Sequence, residues 1–354
     1  MKTLSEVRFG FVGAGQIAHN AAGTIGRHEN ASVVAIHDTH EQRLNDLCDK
    51  LGTRPHLKIE DLYADDGVDA VYIATPNKFH APLAKQALEA GKHVILEKPF
   101  AMNFGEAEQV IAAAKSSDCV FSLGMNQRFN PDSQKIKALV MRGGLGEVYH
   151  AKAYWRRRSG IPKLGTWFGN RELAGGGCLY DIGVHMLDLC LYLIDAFDPV
   201  SVSGVTYTKF GNRGLGEGGW GMSERSDIQF DVDDFASALI KFSSGKTVTL
   251  DATWACHQQS GNMDNVEIFG TDAGATARPA KIFKAGAGDN ENYQIIDEVG
   301  GELLMPHADR FHNFINHLLG KEELCVTYDQ ALAVQKILDG IAESNLTGRE
   351  VRFD

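Results

Sequence analysis

Short apolar runs alternate with amphipathic stretches through the first 125 residues of the chain. Runs such as AVYIAT at 70–75 are apolar at nearly every position, which is typical of strands whose two faces are both covered. Their alternation with helical periodicity predicts parallel strands joined by helical crossovers. Strands are predicted at 7–12, 32–37, 68–75, 93–96 and 119–123, and helices at 17–27, 41–51, 82–90 and 105–116.

Beyond residue 126 the apolar and polar positions alternate, which predicts a sheet with one packed face. Strands are predicted at 148–155, 200–208, 228–242, 247–254 and 265–270, helices at 133–142, 179–193, 310–319 and 329–346, and a long loop at 211–221. A chain of 354 residues favours two domains. We predict an α/β protein that divides into residues 1–125 and 126–354.

Composition narrows the class of protein. The formal net charge of -11 argues against a nucleic-acid partner, and the apolar runs are shorter than the roughly 20 residues that span a bilayer. Six cysteines lie apart without a CxxC pair, as in proteins with reduced thiols. The N-terminal residues show no apolar signal-peptide core. We therefore expect a cytoplasmic protein without a membrane partner.

A glycine turn follows the first predicted strand. The segment GAGQIA at 13–18 has the GxGxxA form of a dinucleotide fingerprint, in which Gly13 permits a tight turn, Gly15 lets backbone amides approach a pyrophosphate, and Ala18 lets the helix pack closely. The second strand ends at Asp38, where an acid binds ribose hydroxyls and repels a 2′-phosphate. The pattern favours NAD, with NADP as the alternative; a helix-capping role for Asp38 is also open.

Two more motifs fall where strands end, at the edge of a parallel sheet that binds ligands. Thr75-Pro76-Asn77 closes the third strand; its backbone either lines the nicotinamide ribose or forms a plain turn in which Asn77 caps the next helix. Lys98 closes the fourth strand; it either bonds cofactor and substrate or forms a surface salt bridge.

A polar face is predicted on an otherwise apolar helix. Asp181, His185 and Asp188 are spaced i, i+4 and i+7, so they are expected on one side. Histidine accepts protons near neutral pH, and a carboxylate one turn away orients it or binds a hydroxyl. A satisfied core histidine is the alternative, and no metal-ligand spacing accompanies the set.

In the order GAGQIA, ATPNKFHA, EKPFAMN and DIGVHMLDL, the sequence resembles the Gfo/Idh/MocA oxidoreductases. The resemblance implies a Rossmann domain and a C-terminal α/β domain with a large, open-faced, mostly antiparallel sheet that forms dimers or tetramers. It also implies a catalytic trio, in which His185 takes the hydroxyl proton, Asp181 holds the substrate and tunes His185, and Lys98 bridges cofactor and substrate. Cofactor contacts carried over from the motifs are Gly13, Gly15, Gln16, Ile17, Asp38, Thr75, Pro76, Asn77, His80, Glu97 and Lys98.

Aromatic and basic residues are the candidates for binding substrate, because aromatic faces suit sugar rings and arginines suit hydroxyls or carboxylates. A solvated or structural role is open for each of them. Besides Asp181 and His185, the candidates are Asn126, Arg128, Trp155, Arg157 and Trp167, with Arg156, Arg158, Trp254 and His257 as further possibilities.

Taken together, the motifs and the resemblance predict an NAD-dependent dehydrogenase of a secondary hydroxyl on a sugar, sugar derivative or cyclitol, with an acidic sugar left open. One alternative is a glycoside hydrolase that oxidises its sugar transiently through NAD. Another is a non-enzymatic nicotinamide-sensing regulator, a class that has no need of a proton relay.

Overall fold

The computed structural model describes residues 3–219, 229–285, 294–297, 299–301, 303–305 and 309–353. The chain divides into two compact units. The first unit comprises Met1–Met125 and Asp309–Leu332, and the second comprises Asn126–Ala308 and Ala333–Asp354. Assigning all of 126–354 to one domain is therefore wrong for 309–332, which return to the first unit.

The first unit is built on one parallel sheet. Its strands are β1 (Val7–Val12), β2 (Ala31–His37), β3 (Arg54–His56), β4 (Ala70–Ile73), β5 (His93–Leu96) and β6 (Phe121–Leu123). They lie in the order β3-β2-β1-β4-β5-β6, with every pair parallel. This order is typical of sheets that bind dinucleotides, and it confirms the predicted doubly wound fold.

In the described part of this unit, the helices that lie wholly within it are α1 (Gln16–Ile25), α2 (Glu41–Leu51), α3 (Ile59–Tyr63), α4 (His80–Glu89), α5 (Phe104–Ser116) and α9 (Arg310–Leu318). Helix α9 belongs here because Phe311, Phe314, Ile315 and Leu318 are buried in the same core as β1 and α1. Helix α10 (Tyr328–Thr347) runs across the boundary at Leu332.

The second unit is built on a nine-stranded sheet. Its strands are β7 (Val148–Arg157), β8 (Pro199–Tyr207), β9 (Phe235–Phe242), β10 (Thr247–Thr253), β11 (Asn262–Gly270), β12 (Gly274–Ala277), β13 (Ala280–Lys284), β14 (Gln294–Ile296) and β15 (Val351–Arg352). The order is β14-β13-β12-β11-β7-β10-β9-β8-β15, and every pair is antiparallel except β7 with β10. A mostly antiparallel second sheet confirms that part of the prediction.

Among the described residues, the α-helices wholly within the second unit are α6 (Pro131–Met141), α7 (Arg171–Ala174) and α8 (Val184–Ile194). A π-helical turn, Leu179–Gly183, leads directly into α8. The stretch Arg171–Ile194 is the one described segment long and apolar enough to span a membrane, but 89% of its most apolar window is buried inside the protein, as in a core helix. The predicted strand at 228–242 begins at Phe235, and residue 228 lies outside the described residues. In the predicted loop at 211–221, Gly211–Arg213 forms a short 3-10 turn, and 220–221 lie outside the described residues.

Candidate active site

The glycine turn after β1 fits a bound pyrophosphate. Gly13 has a φ of 103°, and a Cβ at this position would lie 2.5 Å from the Ala74 carbonyl oxygen. Gly15 is the N-cap of α1 and, having no side chain, makes no side-chain capping hydrogen bond. A Cβ on Gly15 would meet no described atom within 4 Å. The space beside Gly15 at the start of α1 is therefore open, as the close approach of an anion to a helix N-terminus requires.

Asp38 lies beside this turn, directly after β2. Its Oδ2 accepts a hydrogen bond of 2.6 Å from the Ala14 N–H, and its Oδ1 accepts one of 2.7 Å from the His40 N–H. The carboxylate is therefore fixed, and each oxygen keeps a lone pair for a further donor. A ribose hydroxyl can use that capacity, whereas a 2′-phosphate would be repelled.

His80, predicted as a cofactor contact, has both ring nitrogens next to carbonyl oxygens of the protein, and its cofactor role stays a prediction. Its ring is buried, with 1% of the residue exposed. Nδ1 lies 2.7 Å from the Pro99 carbonyl oxygen, and Nε2 lies 2.9 Å from the Thr75 carbonyl oxygen. Burial lowers the pKa of His80, while the two carbonyls oppose that shift. His80 thus joins the turn after β4 to the turn after β5. Thr75 and Pro76 are half-buried and Asn77 is buried.

Glu97, also predicted as a cofactor contact, bonds to side chains of the first unit, and its cofactor role stays a prediction. Its Oε1 accepts a 2.6 Å hydrogen bond from the Tyr72 hydroxyl and pairs with the Arg310 guanidinium. Its Oε2 lies 3.4 Å from the N–H of Lys98. Burial and the neighbouring Glu97 hold the pKa of Tyr72 well above its usual range. The next residue, Lys98, is half-buried. Sequence reasoning missed Arg310, because nothing near it in the chain marks a partner of Glu97.

The second unit carries the histidine and its carboxylate. Asp181 lies in the π-helical turn and His185 in the first turn of α8; both are half-buried, whereas the rest of the segment 179–194 is buried. The Trp254 indole Nε1 donates a hydrogen bond of 2.8 Å to Asp181 Oδ2. Trp254 is fully buried, so it orients Asp181 rather than covering a pocket.

Strand β7 brings an aromatic ring and a cation to the same place. The Trp155 ring centre lies 6.1 Å from that of His185, and the guanidinium carbon of Arg157 lies 4.7 Å from the Trp155 ring centre. Side chains alternate along a strand, so Arg156 turns away and lies over the Tyr154 ring at 5.0 Å. Burial lowers the pKa of Arg157, and the charge of Asp181 opposes that shift. The structure thus gathers Asp181, His185, Trp155 and Arg157.

Two predicted residues are instead paired with each other. Arg128 donates to the Asp188 carboxylate from Nε at 2.9 Å and from a terminal nitrogen at 2.6 Å. Both side chains are almost completely buried, at 0% and 1% exposed, and the rings of Tyr192 and Phe197 flank the guanidinium. Arg128 and Asp188 therefore use their charges on each other, and the substrate role of Arg128 stays a prediction.

Other candidates lie elsewhere in the second unit. Trp167 stacks on Phe168 at a ring-centre distance of 3.9 Å, and His257 packs edge-on against Phe210 at 5.2 Å. Asn126 is exposed. Arg158 donates to the carbonyl oxygens of Gln258 and Gln259. The substrate roles of Trp167 and Asn126 stay predictions.

Comparison with known proteins agrees with this architecture. Residues 7–125 match the model of the Gfo/Idh/MocA oxidoreductase family with an NAD-binding Rossmann fold, and residues 133–276 match the model of its C-terminal domain. Together these matches cover more than half of the chain, and the first of them identifies the cofactor-binding part as an NAD-binding domain.

Individual relatives give the same result. The D-glucoside 3-dehydrogenase of Escherichia coli is 31% identical over 99% of both chains. The levoglucosan dehydrogenase of Pseudarthrobacter phenanthrenivorans is 32% identical over 70% of this chain and 61% of its own. The crystal structure of an NAD-binding protein from Listeria innocua superposes with a TM-score of 0.81 at 26% identity, covering 98% of this chain and 97% of that one. The chain belongs to the Gfo/Idh/MocA family of oxidoreductases.

Proposed function

We propose that this protein oxidises a secondary hydroxyl of a sugar, sugar derivative or cyclitol, with NAD as the acceptor. The observation that carries the proposal is the half-buried Asp181–His185 pair, which lies beside the Trp155 ring on an otherwise buried helical segment. An acid and an imidazole on such a segment are costly unless they are paired or used. The named relatives that act on a D-glucoside and on levoglucosan support a carbohydrate substrate.

The residues take the following roles in this proposal. His185 accepts the proton of the substrate hydroxyl as the general base. Asp181, held by Trp254, binds a substrate hydroxyl and orients His185. Lys98 donates a hydrogen bond to the substrate hydroxyl and to the cofactor ribose. Bound NAD would accept a hydride from the carbon that carries this hydroxyl, and the product would be a ketone.

The residues around Asp38 and the glycine turn fit NAD rather than NADP. Gly13, Gly15, Gln16 and Ile17 would surround the pyrophosphate at the start of α1, and Asp38 would bind the adenosine ribose. The Asp38 carboxylate, which accepts hydrogen bonds from two backbone N–H groups, would select against a 2′-phosphate. We further propose that the protein works in the cytoplasm as a dimer or tetramer formed through the second sheet.

A substrate screen tests the proposal. Purified protein is incubated with NAD and with neutral sugars, glycosides, anhydrosugars, inositols and uronates, and NADH absorbance is followed. We expect NADH formation with at least one polyhydroxylated ring, and ketone formation at a secondary carbon in its product. Activity confined to aliphatic 2-hydroxy acids would contradict the ring substrate. Cleavage of nitrophenyl glycosides without net NADH would favour the hydrolase instead.

A further inference from the structure

We propose that Asp233 is a positioning residue that holds Asp181 and His185 in their reactive arrangement. Asp233 lies just before β9 and is 4% exposed. Its Oδ1 accepts a 2.7 Å hydrogen bond from the Gly177 N–H, and its Oδ2 accepts one of 2.9 Å from the Leu179 N–H. This carboxylate therefore binds the backbone directly before Asp181. The inference rests on the function proposed above.

Two neighbouring contacts complete the attachment. The Cys178 N–H donates to the carbonyl oxygen of Asp233 at 2.9 Å, and the Cys178 Sγ lies 3.2 Å from Asp233 Oδ2. Burial and the nearby Asp233 raise the pKa of the Cys178 thiol well above its usual range, so the thiol keeps its proton as a donor. Three consecutive residues, 177–179, are thus attached to one aspartate.

The attachment continues to the reactive carboxylate. The Asp181 N–H donates to the Gly177 carbonyl oxygen at 3.0 Å, and the Asp181 side chain accepts from Trp254. A Cβ on Gly177 would lie 1.8 Å from the carbonyl oxygen of Asp233, so only glycine allows this close approach. Asp181 is therefore fixed from both sides, through its backbone by Asp233 and through its side chain by Trp254.

Asp233→Asn tests this arrangement, because an amide keeps one acceptor oxygen but turns its NH2 group toward an N–H that needs an acceptor. Asp234→Asn is the matched control. Asp234 is fully buried and accepts from the N–H groups of Lys209, Phe210 and Gly211. The control thus breaks an equivalent buried side-chain cluster outside residues 177–181, while the Asp234 carbonyl oxygen that accepts from the Trp254 backbone N–H is unchanged.

We measure kcat of the full chain with the fastest substrate of the screen, the Kd for NAD, the Tm, and the indole ¹H–¹⁵N shift of Trp254 without substrate. For Asp233→Asn we expect kcat to fall about 100-fold, the Trp254 shift to move, and the Kd for NAD to stay within about twofold of the parent. For Asp234→Asn we expect kcat within a few-fold of the parent protein, although its Tm falls as well. Equal losses of kcat in the two variants, or a loss in Asp233→Asn without movement of the Trp254 shift, would overturn the inference.

Two further variants separate this inference from the proposed function. If Asp181→Asn and His185→Asn are inactive while Asp233→Asn keeps its kcat, the inference fails alone. If Asp181→Asn and His185→Asn are active, the proposed function fails and the inference fails with it. Should Asp233→Asn not fold, Cys178→Ala removes the thiol, which lies 3.2 Å from Asp233 Oδ2 and 3.2 Å from the Ala252 carbonyl oxygen. A few-fold lower kcat with a moved Trp254 shift then supports the inference, and an unchanged kcat overturns it.

Discussion

Different interactions hold two segments of the molecule. One is the turn that carries Lys98 in the first unit, and the other is the helical segment that carries Asp181 in the second unit. Side-chain charge holds the first, because Glu97 pairs with Arg310, a partner 213 residues away in the chain, and accepts from Tyr72. Hydrogen bonds from the backbone N–H groups of Gly177 and Leu179 to the carboxylate of Asp233 hold the second. The comparison teaches that the first attachment depends on a complementary charge, whereas the second depends on local backbone geometry and on Gly177.

Loss of Arg310 should lower the free energy of unfolding more than loss of the Tyr72 hydroxyl or of the Asp38 charge. Arg310→Met leaves the Glu97 carboxylate, which is 12% exposed, without its cation. We expect a loss of about 3 kcal/mol in the free energy of unfolding, measured by urea denaturation. Burial lowers the pKa of Arg310, but Glu97 and Tyr72 outweigh that effect and raise it, so Arg310 stays charged.

Two controls sharpen the Arg310 result. Tyr72→Phe removes the other donor to Glu97 and should destabilise by only about 1 kcal/mol. Glu97→Gln combined with Arg310→Met should recover part of the stability, because no unpaired carboxylate remains. If Arg310→Met were no more destabilising than Tyr72→Phe, charge would not be what distinguishes the two attachments.

Asp38 tests the comparison in a different way. It belongs to the first unit, but like Asp233 it accepts hydrogen bonds from backbone N–H groups. Asp38→Asn keeps an acceptor for the Ala14 N–H but removes the charge that repels a 2′-phosphate. We expect the NAD-to-NADP ratio of kcat/KM to fall about tenfold, with a change in unfolding free energy below that of Arg310→Met. Steady-state kinetics with both cofactors gives the ratio. An unchanged ratio would mean that Asp38 serves only the turn.

Local patterns predicted much of the fold. The bounds of β1, β5 and α2 agree with prediction, because continuous apolar runs and helical periodicity are local properties. The short edge strand β3 and the strands β12, β13 and β14 were not predicted, since they contain three to five residues each and little hydrophobic pattern. The return of α9 to the first unit also escaped prediction, because the partners of Phe311 and Phe314 lie far away in the chain.

The candidate site shows the same division. Helical spacing predicts the roles of Asp181 and His185, and the dinucleotide motif predicts those of Gly13 and Asp38; these roles stay predictions. His80, Glu97 and Arg128 were assigned to ligands because they stand in or near motifs, but each is buried against groups of the protein itself. Arg310, Asp233 and the role of Trp254 were missed, because a buried partner is defined by tertiary contacts and carries no local signal.

The most direct test of the proposed chemistry is the initial rate of NADH formation by His185→Asn at saturating NAD, with the fastest substrate of the screen. Removing the general base should lower kcat by about 10³-fold, while the Kd for NAD stays within about twofold of the parent protein, because the NAD-binding residues belong to the first unit. A kcat within about tenfold of the parent protein would fall short of the effect of removing a general base and would contradict the role of His185.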